Sequence, residues 1–354
     1  MNAEPGAIDC DVHPTVPDNK ALVPYLEPFW AESVESRGIS SFETISYPTK
    51  SPLTSRPEWR RKDGHAATDP KEVGAQVFER WKAGTAILNC LYGVQLLHNE
   101  DMARAFATAV NDWLVKEWLD REPRLRASIV IPTQNPGYAV DEIERRAKDK
   151  RFVQVLVLAM QEVPLGRRHY WPIYAACERH GLTLGVHAGS TYHNPVTALG
   201  WPTWYIEDYA AQSQGFQSQL ASLVTEGAFA KHPDLKVVLI ESGVTWLPAF
   251  LWRFGKFWRG LRTEVPWVDR EPWEYVRQHF RFTMQPFDVP DEPHAVERAL
   301  DHLRSDDILL YASDYPHWQF EGDDVVPNGI SPALRRKMSI DNPLATYPRL
   351  KNGS

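Results

Sequence analysis

The sequence predicts an α/β fold, a (β/α)8 TIM barrel with a long insertion after strand one and a second after strand five. Three observations carry this. Eight apolar runs of strand length recur along the 354 residues, and helical patterns separate most of them. The runs are continuously apolar rather than alternating, as parallel strands buried on both faces require. The first run leads into Asp11-Val12-His13-Pro14 with no Gly-rich phosphate turn, which disfavours the open doubly wound sheet and leaves the closed barrel.

The runs are 7–13, 85–91, 125–131, 153–159, 182–187, 235–241, 280–285 and 308–314. Between the second and third, Met102, Phe106, Ala109, Val110, Trp113, Leu114 and Leu119 keep the i, i+3, i+4 spacing of a core-facing helix, with Asn99 and Asp101 as capping residues. Further helices are expected at about 137–149, 171–180, 213–231, 246–258, 292–304 and 331–340, the last opening on Ser331-Pro332. Residues 14–80 and 190–212 are too long for simple connections, and each follows the C-terminal end of a strand. They are expected to rise over the barrel mouth as lids or binding loops. No linker divides the chain, so residues 1–354 read as one barrel domain.

Composition bounds the partners. A hydrophobic fraction of 43% is enough for a large core, and a net charge of -7 disfavours nucleic acid and anionic membranes. No apolar run approaches the roughly 20 residues that span a bilayer. Met1-Asn2-Ala3-Glu4-Pro5 lacks the features of a signal peptide, and Cys10, Cys90 and Cys177 are odd in number and far apart. The expectation is a cytoplasmic protein with reduced thiols, acting on a small molecule, and a homodimer is possible.

The strand ends carry the chemistry. Strand one gives Asp11 and His13, strand two Asn89, strand five His187, strand six Glu241, strand seven Gln285 and strand eight Asp314. In a barrel these ends converge on one small area. Polar groups there are costly to bury unless they are paired or bind something. Each has an ordinary alternative: Asp9 competes with Asp11, His13 can cap a turn before Pro14, Glu241 can accept from the following backbone, and Asp314 can form an Asx turn. Together, two imidazoles and several carboxylates at separate strand ends match the preferences of one divalent metal. On His187's own face, Thr183 and Gly185 are small and leave room in front of the imidazole.

Four segments resemble the amidohydrolase superfamily, in the amidohydrolase 2 branch that includes aminocarboxymuconate-semialdehyde decarboxylase. They are Ile8-Asp9-Cys10-Asp11-Val12-His13, Gly185-Val186-His187-Ala188-Gly189, the run from His232 to Gly243, and Ala312-Ser313-Asp314-Tyr315-Pro316-His317. The resemblance implies a (β/α)8 barrel with one divalent metal, Zn²⁺ or Mn²⁺ with Fe²⁺ possible, on Asp11, His13, His187 and Asp314. The chain departs from the family's decarboxylases by placing Glu241 where a strand-six His is usual, and Ala188-Gly189 after His187.

Because of those departures, the expected activity is hydrolysis of an amide, lactone or ester-like bond of an aromatic or apolar substrate. Asp314 acts as general base in this reading, and Glu241 shares that role or positions the water. The alternative is metal-dependent, non-oxidative decarboxylation of an aromatic or unsaturated acid. A third reading is a barrel that binds a ligand without catalysis. Asn89, Trp201, Trp204, Gln285 and His317 are candidate substrate contacts, with Trp246 and Trp318 as further aromatic walls. Arg56, Arg60 and Arg61 could meet an anionic substrate from the insertion, or simply be solvated.

Overall fold

The computed structural model describes residues 4–42, 55–189, 195–289, 292–317 and 326–351. Of the candidate residues and their neighbours, Ser190 and Trp318 lie outside them. Eight parallel strands follow one another in chain order around a single sheet: β1 (Ile8–Val12), β2 (Thr85–Leu88), β3 (Leu125–Val130), β4 (Phe152–Leu158), β5 (Thr183–His187), β6 (Val237–Ile240), β7 (Phe280–Thr283) and β8 (Leu309–Leu310). The chain past β8 closes the ring onto β1. Cys10 N donates to Tyr311 O (3.0 Å), Asp314 N to Asp11 O (3.1 Å) and His13 N to Tyr315 O (2.8 Å). The expected (β/α)8 barrel is the fold.

One cluster fills the interior, with Ile8, Cys10, Ile87, Leu156, Val238, Ile240 and Leu310 meeting Tyr347. Tyr347 follows the short helix Asn342–Thr346. A larger apolar cluster lies between sheet and helices, and all three cysteines are buried and free. Among the described residues no helix is long and apolar enough to cross a membrane.

The β1–β2 pairing shifts register between Asp9 and Val12, and this shift positions the mouth residues of β1. Strict alternation would put Asp9, Asp11 and His13 on one face and Ile8 and Cys10 on the other. The irregularity lets Ile8 and Cys10 stay in the interior while Asp11 and His13 reach the mouth, as bulges beside active sites commonly do.

Helices fall where periodicity places them, with two differences. The helix after β5 begins at Tyr205, inside the stretch read as loop, because Trp204 is extended and its N–H donates to Glu207 (2.6 Å) in a capping box. A helix at Pro272–His279, opened by a first-turn proline after extended Glu271, precedes β7. The insertion after strand one is not one bare loop, since it carries the helix Pro28–Arg37 and the short helical turn Pro70–Val73. It does reach the mouth: Ser55 bridges to His317, and the Trp59 ring stands edge-on to Tyr315 at 4.9 Å.

Candidate metal centre

At the C-terminal ends of β1, β5, β6 and β8 the side chains of Asp11, His13, His187, Glu241, Asp314 and His317 crowd together. His13 Nε2 lies 3.1 Å from Asp11 Oδ1, 3.1 Å from Asp314 Oδ1 and 3.4 Å from Glu241 Oε1. His187 Nε2 lies 3.3 Å from Glu241 Oε1 and 3.7 Å from Asp11 Oδ1. His317 Nδ1 completes the group, 2.8 Å from Glu241 Oε1 and 2.5 Å from Asp314 Oδ1. The His13 and His317 rings stack at 4.0 Å, and His187 meets His13 edge-on at 4.9 Å.

The protonation pattern of the imidazoles comes from their far sides. His13 Nδ1 is 2.9 Å from Asn89 O and His187 Nδ1 is 2.6 Å from Ala188 O. A carbonyl only accepts, so each Nδ1 carries a proton and each Nε2 turns a lone pair toward the carboxylates. The centre is thus an array of acceptors facing one another. His13 Nε2, His187 Nε2, Asp11 Oδ2 and both oxygens of Asp314 are buried with no hydrogen-bond partner. Such an arrangement needs a cation or extra protons to be stable.

Without a metal, protons serve. Burial opposes charge on His187, yet Glu241 and then Asp11 push it up to about 10; His13 is raised likewise, chiefly by Asp11. Burial would raise Asp11 and Glu241, but the imidazoles beside them hold both below the usual carboxylate range. Asp314 goes the other way, lifted to about 6 by burial and by the Glu241 charge. His317 is raised by Asp314 against the effect of burial. A divalent ion would replace those protons, so the donor set fits one: two groups of four ligand atoms lie within 4.8 Å of one another, Asp11/His13/His187/Glu241 and His13/Glu241/Asp314/His317.

Backbone geometry aims the two acids that follow strands. Glu241 and Asp314 are non-glycine residues in the left-handed region, at φ 56 and 57. Each costs of order 1–3 kcal/mol, a strain that clusters where surroundings over-determine a functional position. Thr283 Oγ1 accepts from Glu241 N (3.1 Å), which ties the β6 end to β7. Asp9, the competitor of Asp11, is turned away: its Oδ1 accepts from Ser313 N (2.9 Å) and Asp11 N (3.3 Å).

The other candidates separate. Asn89 is fully buried beneath Asp11, not in the mouth, and its amide is spent on Asp11, Ser128 and Gln154. The room expected before His187 at Gly185 is occupied by Gln154, which would stand 2.5 Å from an added Cβ. Gln285 is buried beside Thr283, whose hydroxyl donates to its carbonyl (3.3 Å). Trp201 and Trp204 are 54% and 69% exposed at the head of the helix Tyr205–Thr225. Trp246 fastens its own helix start through Nε1 to Ser242 O (2.9 Å). Arg56, Arg60 and Arg61 bond to Glu58, Ser55 and Thr68 within the insertion. His317, a candidate substrate contact that could also bond near Asp314, sits among the acids, 2.8 Å from Glu241 Oε1 and 2.5 Å from Asp314 Oδ1. The pairing of Ser55 with His317 has no local signal in the sequence.

Comparisons with known proteins come to the same fold. The sequence model described as amidohydrolase matches residues 8–349. A gamma-resorcylate decarboxylase of Polaromonas sp. (strain JS666) is 25% identical over 199 residues, 54% of this chain and 60% of the relative; the chain therefore matches less than two thirds of that enzyme's length. The crystal structure of a 2,6-dihydroxybenzoate decarboxylase from Rhizobium superposes with a TM-score of 0.72 at 20% identity, covering 98% of this chain and 99% of the other. A dihydroxybenzoic acid decarboxylase structure from Polaromonas sp. JS666, with bound manganese and the inhibitor 2-nitroresorcinol, gives 0.68 at 20% identity over 98% and 97%. At these identities the structural likeness is one of fold.

Proposed function

The chain belongs to the amidohydrolase family, and on that footing we propose that it is a metal-dependent, non-oxidative decarboxylase of an aromatic acid. The observation that carries this is the array of buried, unpartnered acceptors on β1, β5 and β8 around Glu241 of β6, in a chain whose relatives from Polaromonas and Rhizobium are hydroxybenzoate decarboxylases. Hydrolysis, which the strand-end pattern and the Glu241 departure favoured, has no counterpart among those relatives.

Asp11, His13, His187 and Asp314 would hold the ion, Mn²⁺ or Zn²⁺, with Glu241 within reach of the same place. Bound there, the ion supplies positive charge that orients the substrate carboxylate and a neighbouring oxygen. The residues of the chain do the rest. Decarboxylation breaks the bond between ring carbon and carboxylate, leaves the electron pair on the carbon and requires a proton there. Glu241 is hydrogen-bonded to His317, whose Nδ1 also lies 2.5 Å from Asp314 Oδ1, and this Glu241–His317 pair holds the proton that the carbon takes.

Incubating Mn²⁺-loaded protein with 2,6-dihydroxybenzoate and related hydroxybenzoates in ¹⁸O-labelled water separates the chemistries. Release of CO₂ with a proton replacing the carboxyl supports the decarboxylase. Solvent ¹⁸O appearing in products from a panel of esters, lactones and amides, with no CO₂ from any acid, would move the assignment to a hydrolase.

A further inference from the structure

Beneath the ligands, the barrel interior is not wholly apolar. We propose that Tyr347, Gln154, Ser128 and Asn89 form a directional relay of hydrogen bonds that positions Asp11 as a metal ligand. The relay starts at the barrel floor, where the Tyr347 hydroxyl donates to Gln154 Oε1 (3.1 Å). Gln154 Nε2 then donates to Ser128 Oγ (2.9 Å) and to Asn89 Oδ1 (3.2 Å). Ser128 Oγ, having accepted, donates its proton to Asn89 Oδ1 (2.6 Å). With its oxygen accepting two bonds, Asn89 has one orientation left, and Nδ2 donates to Asp11 Oδ1 (2.8 Å) and Cys10 O (3.4 Å).

Each step fixes the next. The Tyr347 hydroxyl starts the chain as a donor, and a carboxylate, which only accepts, ends it. All five side chains are fully buried, so no solvent competes for these bonds. Space for the relay depends on Gly185, whose missing Cβ is where the Gln154 amide lies. Asp11 has a single torsion beyond its Cβ to set, and the Asn89 amide sets it: Oδ1 is held where it also faces His13 Nε2 (3.1 Å) and His187 Nε2 (3.7 Å), while Oδ2 is buried without a partner. Partners that orient a ligating carboxylate in this way typically contribute 10–100-fold to metal affinity. Tyr347 thereby ties the C-terminal segment to the metal centre through the length of the barrel.

The inference rests on the proposed metal-binding function, and the test keeps the two apart. Mn²⁺ is titrated into chelator-treated full-length protein, with free ion read by its EPR signal and the melting temperature of the metal-free protein recorded alongside. If the unaltered protein takes up no Mn²⁺, the proposed function fails before the relay is reached. Given uptake, Asn89→Ala should weaken Mn²⁺ binding about 10–100-fold. Tyr347→Phe, which keeps the ring and removes only the first donor, should weaken it by a smaller factor, about threefold. Ser128→Ala stands in if Asn89→Ala does not fold. A lowered metal-free melting temperature with unchanged Mn²⁺ affinity in these variants would make the chain a structural network only and overturn the proposal. Weakening in Asn89→Ala with none in Tyr347→Phe would also overturn the relay.

Discussion

The strands of this barrel end in two different ways. β1, β5 and β8 end in acceptors without partners, and β6 ends in Glu241, whose Oε1 is met by His317 Nδ1 (2.8 Å); Glu241 and Asp314 stand on left-handed non-glycine backbone. β2, β3 and β4 end in satisfied or apolar residues: Asn89 with every bond made, then Cys90, Val130, Ile131, Leu158 and Ala159, all buried. A cavity of about 570 Å³ opens over that second half, lined by residues such as Gln95, His98, Gln134, Gln161 and Arg168. Space therefore lies beside β2–β4, while uncompensated charge lies on the other strands. The difference teaches that in this mouth the open space and the electrostatic demand for a cation lie on different strands.

The sharpest way to break this comparison is to remove one acceptor. His187→Ala should lower metal affinity by more than the roughly 100-fold that a merely supporting residue contributes, and activity should fall with it. Equilibrium dialysis with Mn²⁺ reads this, and retained stoichiometric metal would dissolve the distinction between the halves. Next in size, Glu241→Gln should keep metal yet lose about 10²–10⁴-fold in kcat, the range for a displaced proton-transfer group. Metal analysis beside steady-state kinetics checks it.

On the other half the expectation reverses. Leu156 is buried in the interior cluster on β4, and Leu156→Ala should cost about 2–5 kcal/mol of stability while metal stoichiometry stays at wild type. Denaturant unfolding with metal analysis tests both parts.

A pH experiment sharpens the contrast without mutation. In the metal-free protein His187 is pushed up to about 10 from an ordinary 6.5. The stability this gives is complete below the unfolded value and is lost as pH rises through the folded one. Metal-free protein should therefore weaken between about pH 6.5 and 10, and added Mn²⁺ should raise the melting temperature more at the alkaline end, where no proton must be displaced. The smallest effect is expected from Trp204→Ala at the exposed head of the helix Tyr205–Thr225, within about 0.5 kcal/mol in stability and with KM unchanged.

Much of the fold and centre was legible in the sequence because burial on both faces leaves an unbroken apolar signature, and a polar residue closing such a run stands out. Asp11, His13, His187, Glu241 and Asp314 were visible that way. What escaped depends on rotation and on distant chain. The shift between Asp9 and Val12 and the left-handed backbone at Glu241 and Asp314 decide which side chains turn inward, and neither has a local signature. Asn89 reads the same in sequence whether it meets substrate or supports Asp11. Only the meeting of β2, β3, β4 and the C-terminal segment assigns it to the second place. His317 stands three residues after Asp314, a spacing the sequence shows, and its N–H donates to Asp314 O (2.6 Å); its pairing with Ser55, far back in the insertion, is what the sequence does not show.

On this reading the buried acceptors hold one divalent cation. Mass-spectrometric metal content of protein purified without added metal tests it most directly. The account predicts about one equivalent of a divalent transition metal per chain, removable by chelator and restored by Mn²⁺ or Zn²⁺. A chain with no metal that takes up none when supplied would contradict it.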